Sequence, residues 1–269
     1  MQEQSPPSFP AAGTDLGRYQ VTVTEAAAER YWRGAGIEAP GRLAYPPMAV
    51  NLTILLVQQT VPISFLHTRE RLASIGAVEA PCDLVVTGRC VDRFDKRGRP
   101  YFVVDSTVAT ADGRAVWRSL AELCSSRPGG GGEPGVPEVS STDWGDDLVP
   151  PDGGETRRLD LTYDLLRTYS RAGNFHSDDE AARQMGLPGM VAMGMQTLGP
   201  AYGAALERWG EAFVEGGGVE ARFFGMVSEA ETVETRTEFG DGVAWVEISN
   251  VERDARTGLA RFAQVAQRP

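Results

Sequence analysis

Cysteine is scarce in this chain: Cys82, Cys90 and Cys124 are the only three in 269 residues. An odd number without CxxC spacing excludes a disulfide framework and reads as free core thiols in a reducing compartment. Histidine is scarcer still, with His67 and His176 alone. No cluster of metal-ligand residues is present, so no metal is expected. Also missing are a phosphate-binding P-loop, a dinucleotide glycine fingerprint and a Gly-x-Ser-x-Gly elbow. No cofactor is expected either. No apolar run reaches the roughly 18 residues that a membrane span needs. Residues 1–17 are polar and Pro-rich, without the apolar core of a secretory signal, and are expected to form a loose arm. These absences point to a cytoplasmic protein. A positive charge balance is lacking too: the net charge is −11. That argues against nucleic acid or an anionic membrane as partner. It leaves room for a local basic pocket, for which Arg69, Arg71, Arg89, Arg93, Lys96, Arg97 and Arg99 are candidates.

What remains is globular in character, with 42% hydrophobic and 23% charged residues, and long enough for one large domain or two smaller ones. Residues 125–155 are rich in Gly, Pro, Ser and Asp and read as a linker. The flanking segments, 18–124 and 156–269, resemble each other. Val21–Arg33 and Leu159–Arg171 align without a gap, matching Thr24 to Thr162, Tyr31 to Tyr169 and Arg33 to Arg171. In each, a short alternating strand passes into an amphipathic helix. The same register carries Met48–Thr60 onto Gly186–Leu198. Both read as the start of a long, mostly buried helix, running in the second half from about Met190 to Glu207. Gly194, Gly199, Ala201 and Gly203 on that helix imply close packing, because each internal glycine costs roughly 1 kcal/mol. Each half ends in strands: Leu84–Phe94, Tyr101–Thr110 and Ala115–Leu123, then Glu220–Val227, Glu231–Phe239, Val243–Glu252 and Gly258–Ala266. Their turns are Gly-containing, as hairpins require. One helix wrapped by a bent antiparallel sheet is a hotdog unit. The expected class is therefore α+β, a double hotdog.

The motif with chemical content is Gly-Asn-Phe-His-Ser-Asp-Asp-Glu-Ala-Ala-Arg-Gln-Met-Gly-Leu-Pro-Gly-Met-Val-Ala-Met-Gly-Met over residues 173–195. His176 sits in a short loop before an acidic helix start, and Gly194 follows 18 residues later in a small-residue apolar segment. An imidazole there supplies proton transfer. A glycine supplies a bare backbone N–H for a developing oxyanion. Asp178 suits a helix N-cap. Asn174 suits either a hydrogen bond to water or substrate hydroxyl, or a left-handed turn. Arg171 suits an ion pair or a bound anion, and the equivalent Arg33 favours a structural role. Met190, Met193, Met195, Phe223, Phe224 and Met226 are mostly core, with some walling an acyl tunnel. Met190, Met193 and Phe175 are the substrate-binding candidates. His67 is expected at solvent or a sheet edge.

This segment resembles the hydratase motif of MaoC-like (R)-specific enoyl-thioester hydratases and dehydratases. In that family an Asp-x-Asn-Pro-Leu-His-x-Asp loop precedes a helix, and a His-Gly pair follows at the spacing seen here. Double-hotdog members carry one degenerate and one catalytic half, and here the second half carries the motif. The resemblance implies His176 as general acid/base, Gly194 N–H as oxyanion donor and Asp178 as the acidic residue after the histidine. It implies a substrate carried as a CoA or acyl carrier protein thioester. Three positions depart: Arg171 stands for the family's aspartate, Gly173-Asn174 for its Asn-Pro, and Met193 for the histidine before the glycine. Arginine is no general base near neutral pH. Two other readings stay open, a hotdog thioesterase and a non-catalytic acyl-binding or partner subunit. The chain is expected as a monomeric double hotdog or a homodimer.

Overall fold

The computed structural model describes residues 9–61, 65–125, 135–145, 147–171 and 173–265. The first half runs β1 (Asp15–Val23), α1 (Glu25–Gly34), α2 (Met48–Thr60), β2 (Phe65–Ser74), β3 (Cys82–Lys96), β4 (Arg99–Thr110) and β5 (Ala115–Ser125). The second runs β6 (Glu155–Asp160), α3 (Tyr163–Tyr169), α4 (Asp179–Gln184), α5 (Gly194–Thr197), α6 (Gly199–Trp209), α7 (Glu211–Gly216), β7 (Gly218–Phe223), β8 (Thr232–Phe239), β9 (Val243–Asn250) and β10 (Ala255–Ala263). All strands join one antiparallel sheet in the order β1-β3-β4-β5-β2-β7-β10-β9-β8-β6. Equivalent strands of the two halves stand at mirrored places in that order. The fold is a double hotdog, sealed where Arg69–Ala73 of β2 pairs with Arg222–Gly218 of β7.

The repeat in the sequence is a repeat of local physics. Thr24 and Thr162 each cap a helix: their hydroxyls accept from Ala27 N–H at 3.1 Å and Leu165 N–H at 3.2 Å. Such caps contribute about 1 kcal/mol. The matched tyrosines Tyr31 and Tyr169 meet edge to face with ring centroids 5.4 Å apart. Residues related by the repeat touch only near its pseudo-twofold axis. Trp32, Tyr45 and Tyr202 extend this aromatic seam, at 4.6 Å and 5.0 Å between successive centroids. Most of the described buried apolar residues of both halves share one continuous core, while Phe175, Ala182 and Val191 form a small cluster beside the motif loop.

Helix α2 is buried along most of its length, as an all-round apolar helix must be. Its counterpart differs from expectation. Residues 190–193 are extended, and the helix begins at Gly194, breaks at Leu198 and resumes at Gly199. Pro200 explains the break, since it has no N–H to give the turn before it. A strand at Phe65–Ser74, absent from the expected list, completes the first half. The expected arm also needs correction. Residues 1–8 lie outside the described residues, but β1 begins at Asp15, and Phe9 is buried with its ring 6.2 Å from Phe102. Of the expected linker, 126–134 and 146 lie outside the described residues, as do 266–269. The remainder up to β6 has no regular structure yet is anchored. The Asp92 carboxylate accepts from Ser140 Oγ and Ser141 N–H, both at 2.7 Å, and the Arg69 guanidinium lies over Trp144 at 4.7 Å.

Gly199 marks a close approach of the two halves: a Cβ there would stand 2.0 Å from the Ala35 carbonyl oxygen, whereas at Gly216 nothing lies within 4 Å. Gly199→Ala should destabilise the fold by at least about 1–3 kcal/mol, and Gly216→Ala should not. Denaturant unfolding of both variants checks this; equal midpoints would contradict the close approach.

Candidate active site

The loop carrying His176 is built by its own side chains. Gly173 takes the left-handed conformation, at φ 78°. It thus fills the role open to Asn174. The Asn174 side-chain oxygen accepts from His176 N–H at 2.9 Å, and the Ser177 hydroxyl donates to the Arg171 carbonyl at 2.5 Å. Asp178 then caps α4, accepting from Ala181 N–H at 2.8 Å. The imidazole is held from the other side. Its Nδ1 lies 2.8 Å from the Val191 carbonyl oxygen. A carbonyl only accepts, so Nδ1 carries the proton and Nε2 keeps its lone pair.

Val191 belongs to the extended segment that leads into Gly194. That segment is pinned to the next strand region: Ala192 N–H donates to the Val227 carbonyl at 2.9 Å, and Glu229 N–H to the Met190 carbonyl at 3.0 Å. One short stretch therefore fixes both the imidazole and the start of α5. A Cβ on Gly194 would stand 2.9 Å from the Phe223 ring, so only glycine fits without moving that ring.

His176 and Gly194 line one cleft of about 390 Å³, together with Asn51 and His67 from the first half. Its apolar wall includes Phe175, Val191 and Met193, and its rim carries Arg69, Lys96, Arg97 and Arg222 beside the exposed Phe224 and Met226. Adjoining it, a smaller hollow of about 40 Å³ also touches His176 and Asn51, together with Tyr31, Ser170 and Asn174. Withdrawal from water, aided by the Arg171 guanidinium, pushes the His176 imidazole from the usual 6.5 down to about 4. The ring is neutral at neutral pH, in the form that takes a proton.

Residues 161–258 match the family described as MaoC like domain. Residues 161–258 are thus similar to a MaoC-like domain. Among solved structures, a MaoC-like dehydratase from Phytophthora capsici has a TM-score of 0.74 at 15% identity, covering 92% of this chain and 94% of that one. The full-length peroxisomal multifunctional enzyme type 2 of Drosophila melanogaster gives 0.72 at 20% identity, covering 91% of this chain. This chain spans 48% of that longer protein. Rv0216 of Mycobacterium tuberculosis, described as a double hotdog fold, gives 0.61 at 14% identity over 91% of this chain and 94% of that one. At these identities the likeness is one of fold. No curated protein matches the sequence significantly.

The second half brings His176, Gly194, Met193 and Phe175 to the cleft. Met190 is a correction: it is fully buried in the core, because the helix starts later than expected and turns this side chain inward. Arg171 is exposed and donates to Gln58 Oε1 at 2.5 Å, so no carboxylate replaces the family's aspartate in place. Asn174 serves the loop through Ser170 and His176 N–H. His67 is the second correction. It is buried against Glu70 and lines the cleft. Asn51 was not anticipated. It is 7% exposed, its amide donates to Tyr31 at 3.2 Å, and its side-chain oxygen has no partner among the described residues. An asparagine in an apolar helix was the only signal for it. Of the basic candidates, Arg69, Lys96 and Arg97 reach the cleft. Among the described residues no three His, Cys, Asp or Glu cluster as metal ligands, and no helix is long and apolar enough to cross a membrane.

The depressed imidazole has a measurable consequence. Between about 6.5 and 4 the unfolded chain binds this proton and the folded chain does not. Stability present above that window is lost as pH falls through it. Ring-nitrogen NMR should show His176 neutral until pH approaches 4; titration at the ordinary histidine value would contradict its burial.

Proposed function

We propose that this protein is a hydro-lyase that interconverts 3-hydroxyacyl and 2-enoyl thioesters. The observation that carries the reading is a neutral imidazole with a free Nε2 on the same cleft as the glycine that opens α5. In the dehydration direction the thioester oxygen accepts the Gly194 N–H, which stabilises the enolate-like charge. His176 Nε2 takes the Cα proton. The electron pair of that bond forms the new double bond, the C–O bond breaks, and the hydroxyl leaves as water with the proton from the imidazolium. Hydration is the reverse. One imidazole serves both proton transfers when proton and hydroxyl leave from the same face.

The apolar wall of Phe175, Val191 and Met193 suits an acyl chain. Arg69, Lys96, Arg97 and Arg222 on the rim suit the phosphates of CoA or of a carrier-bound phosphopantetheine. The three cysteines, unpaired, fit a cytoplasmic setting. Arg171 in place of a carboxylate supports a second reading, an acyl-binding subunit without turnover.

Crotonyl-CoA and 3-hydroxybutyryl-CoA, followed by enoyl absorbance and by free thiol, separate the readings. A change in absorbance alone is expected; thiol release indicates a thioesterase, and silence with measurable binding indicates the non-catalytic subunit. His176→Ala should lower kcat/KM by roughly 10²- to 10⁴-fold; an unchanged rate would reject the assignment. Gly194 allows a paired test. Alanine and proline both press on Phe223, but only proline removes the N–H, at a helix position that tolerates it. Gly194→Pro should lose roughly 10²-fold more activity than Gly194→Ala. Equal losses would exclude the N–H from catalysis.

A further inference from the structure

The cleft contains a second ionisable group that the mechanism above leaves idle. His67 stands on β2, in the half without the motif. Between His67 and Arg69 the pairing of β2 with β5 shifts register. In a regular strand residues three apart face opposite sides. The extra residue of a bulge puts His67 and Glu70 on one side, and bulges re-aim side chains in this way. His67 Nε2 lies 3.0 Å from Glu70 Oε2, and Ser119 Oγ donates to Glu70 Oε1 at 2.6 Å. The His67 ring lies 5.2 Å from the Phe223 ring, the same ring that abuts Gly194. A buried carboxylate in the middle of a sheet is costly unless it is paired, and this one is paired with an imidazole that lines the cleft.

We propose that His67 is a second catalytic acid–base residue of this cleft, positioned by Glu70, and that it handles the proton on the substrate oxygen while His176 handles the proton on Cα. The proposal rests on the hydro-lyase reading. His67, held through Nε2 by Glu70, presents Nδ1–H to the hydroxyl. In dehydration His176 Nε2 takes the Cα proton and the double bond forms. The C–O bond breaks, and the oxygen leaves as water with the proton from His67 Nδ1. His176 then gives its proton to solvent and His67 regains one, so the protein is unchanged. The division of labour suits the two environments. His176 is held by a backbone carbonyl near the Arg171 cation, while His67 is held by the side chain of Glu70. The other charged or titratable groups lining the cleft with His67 are Arg69 on β2, Lys96 on β3, Arg97 in the turn after it, Tyr101 on β4, Glu122 on β5, Arg222 on β7 and His176.

The test uses His67→Gln, which keeps a hydrogen bond to Glu70, and Glu70→Gln, each checked by thermal melt. With crotonyl-CoA, His67→Gln should lower kcat on the order of 10²-fold, leave KM nearly unchanged and remove one limb of the pH–rate profile. Glu70→Gln, which alters the group that orients His67, should lower kcat with KM nearly unchanged. A His67→Gln enzyme that melts like the parent and keeps both kcat and the limb overturns the proposal. A second readout does not need turnover. With two histidines in the chain, ¹⁵N-histidine labelling gives two ring systems, assigned with His67→Gln and His176→Gln. Acetoacetyl-CoA, which carries an oxygen on the same carbon as the substrate hydroxyl but has no hydroxyl to eliminate, should shift both. If His176 alone shifts, His67 has no role and the hydro-lyase reading stands. If neither shifts and crotonyl-CoA is not hydrated, both fall.

Discussion

The hydrogen bond from the His176 ring to the Val191 carbonyl, at 2.8 Å, ties together everything that gives this cleft chemical capacity. It fixes the tautomer, and so decides which nitrogen is basic. It also joins two stretches that the chain makes separately: the loop closed by Ser170, Asn174 and Ser177, and the extended segment that delivers Gly194. Without it the imidazole has no defined direction relative to the first N–H of α5. The bond is internal to the second half, which is why the motif can lie in one half of a duplicated fold.

The first half is more than a copy that has lost its motif. Helix α2 brings Asn51 to both hollows beside His176, and β2 brings His67, held by the buried Glu70, to the cleft. Both elements reach the site because β2 and β7 pair at the seam of the sheet and because the aromatic seam around Tyr31 and Tyr169 packs the halves into one core. A cleft at such a seam draws on two independently varying sequences. That gives a route to compensate for the aspartate that Arg171 replaces.

The architecture was largely legible in the sequence, since the signals are local. Thr24 and Thr162 cap, the hairpin turns carry their glycines, and the repeat aligns the two helix starts. Asp178 was recognisable as a cap for the same reason. What was illegible depends on neighbours remote in sequence. Strand β2 was missed because Thr-Arg-Glu-Arg breaks its alternation, and the bulge that accounts for the break becomes visible only in the ladder with β5. His67 looked peripheral because its partner Glu70 falls on the wrong side of an unbulged strand. The late start of the central helix escaped notice because Met190–Met193 is as apolar as the helix it precedes. The partner that makes it extended, Val227, lies across the fold.

The most direct test of the account is a structure with a bound, unreactive acyl-pantetheine ketone, in which a methylene replaces the thioester sulfur. The account predicts the ketone oxygen within hydrogen-bond distance of Gly194 N–H, and the adjacent carbon facing His176 Nε2. A ligand whose carbonyl lies away from Gly194, or whose reactive carbons face a wall without either histidine, would contradict it.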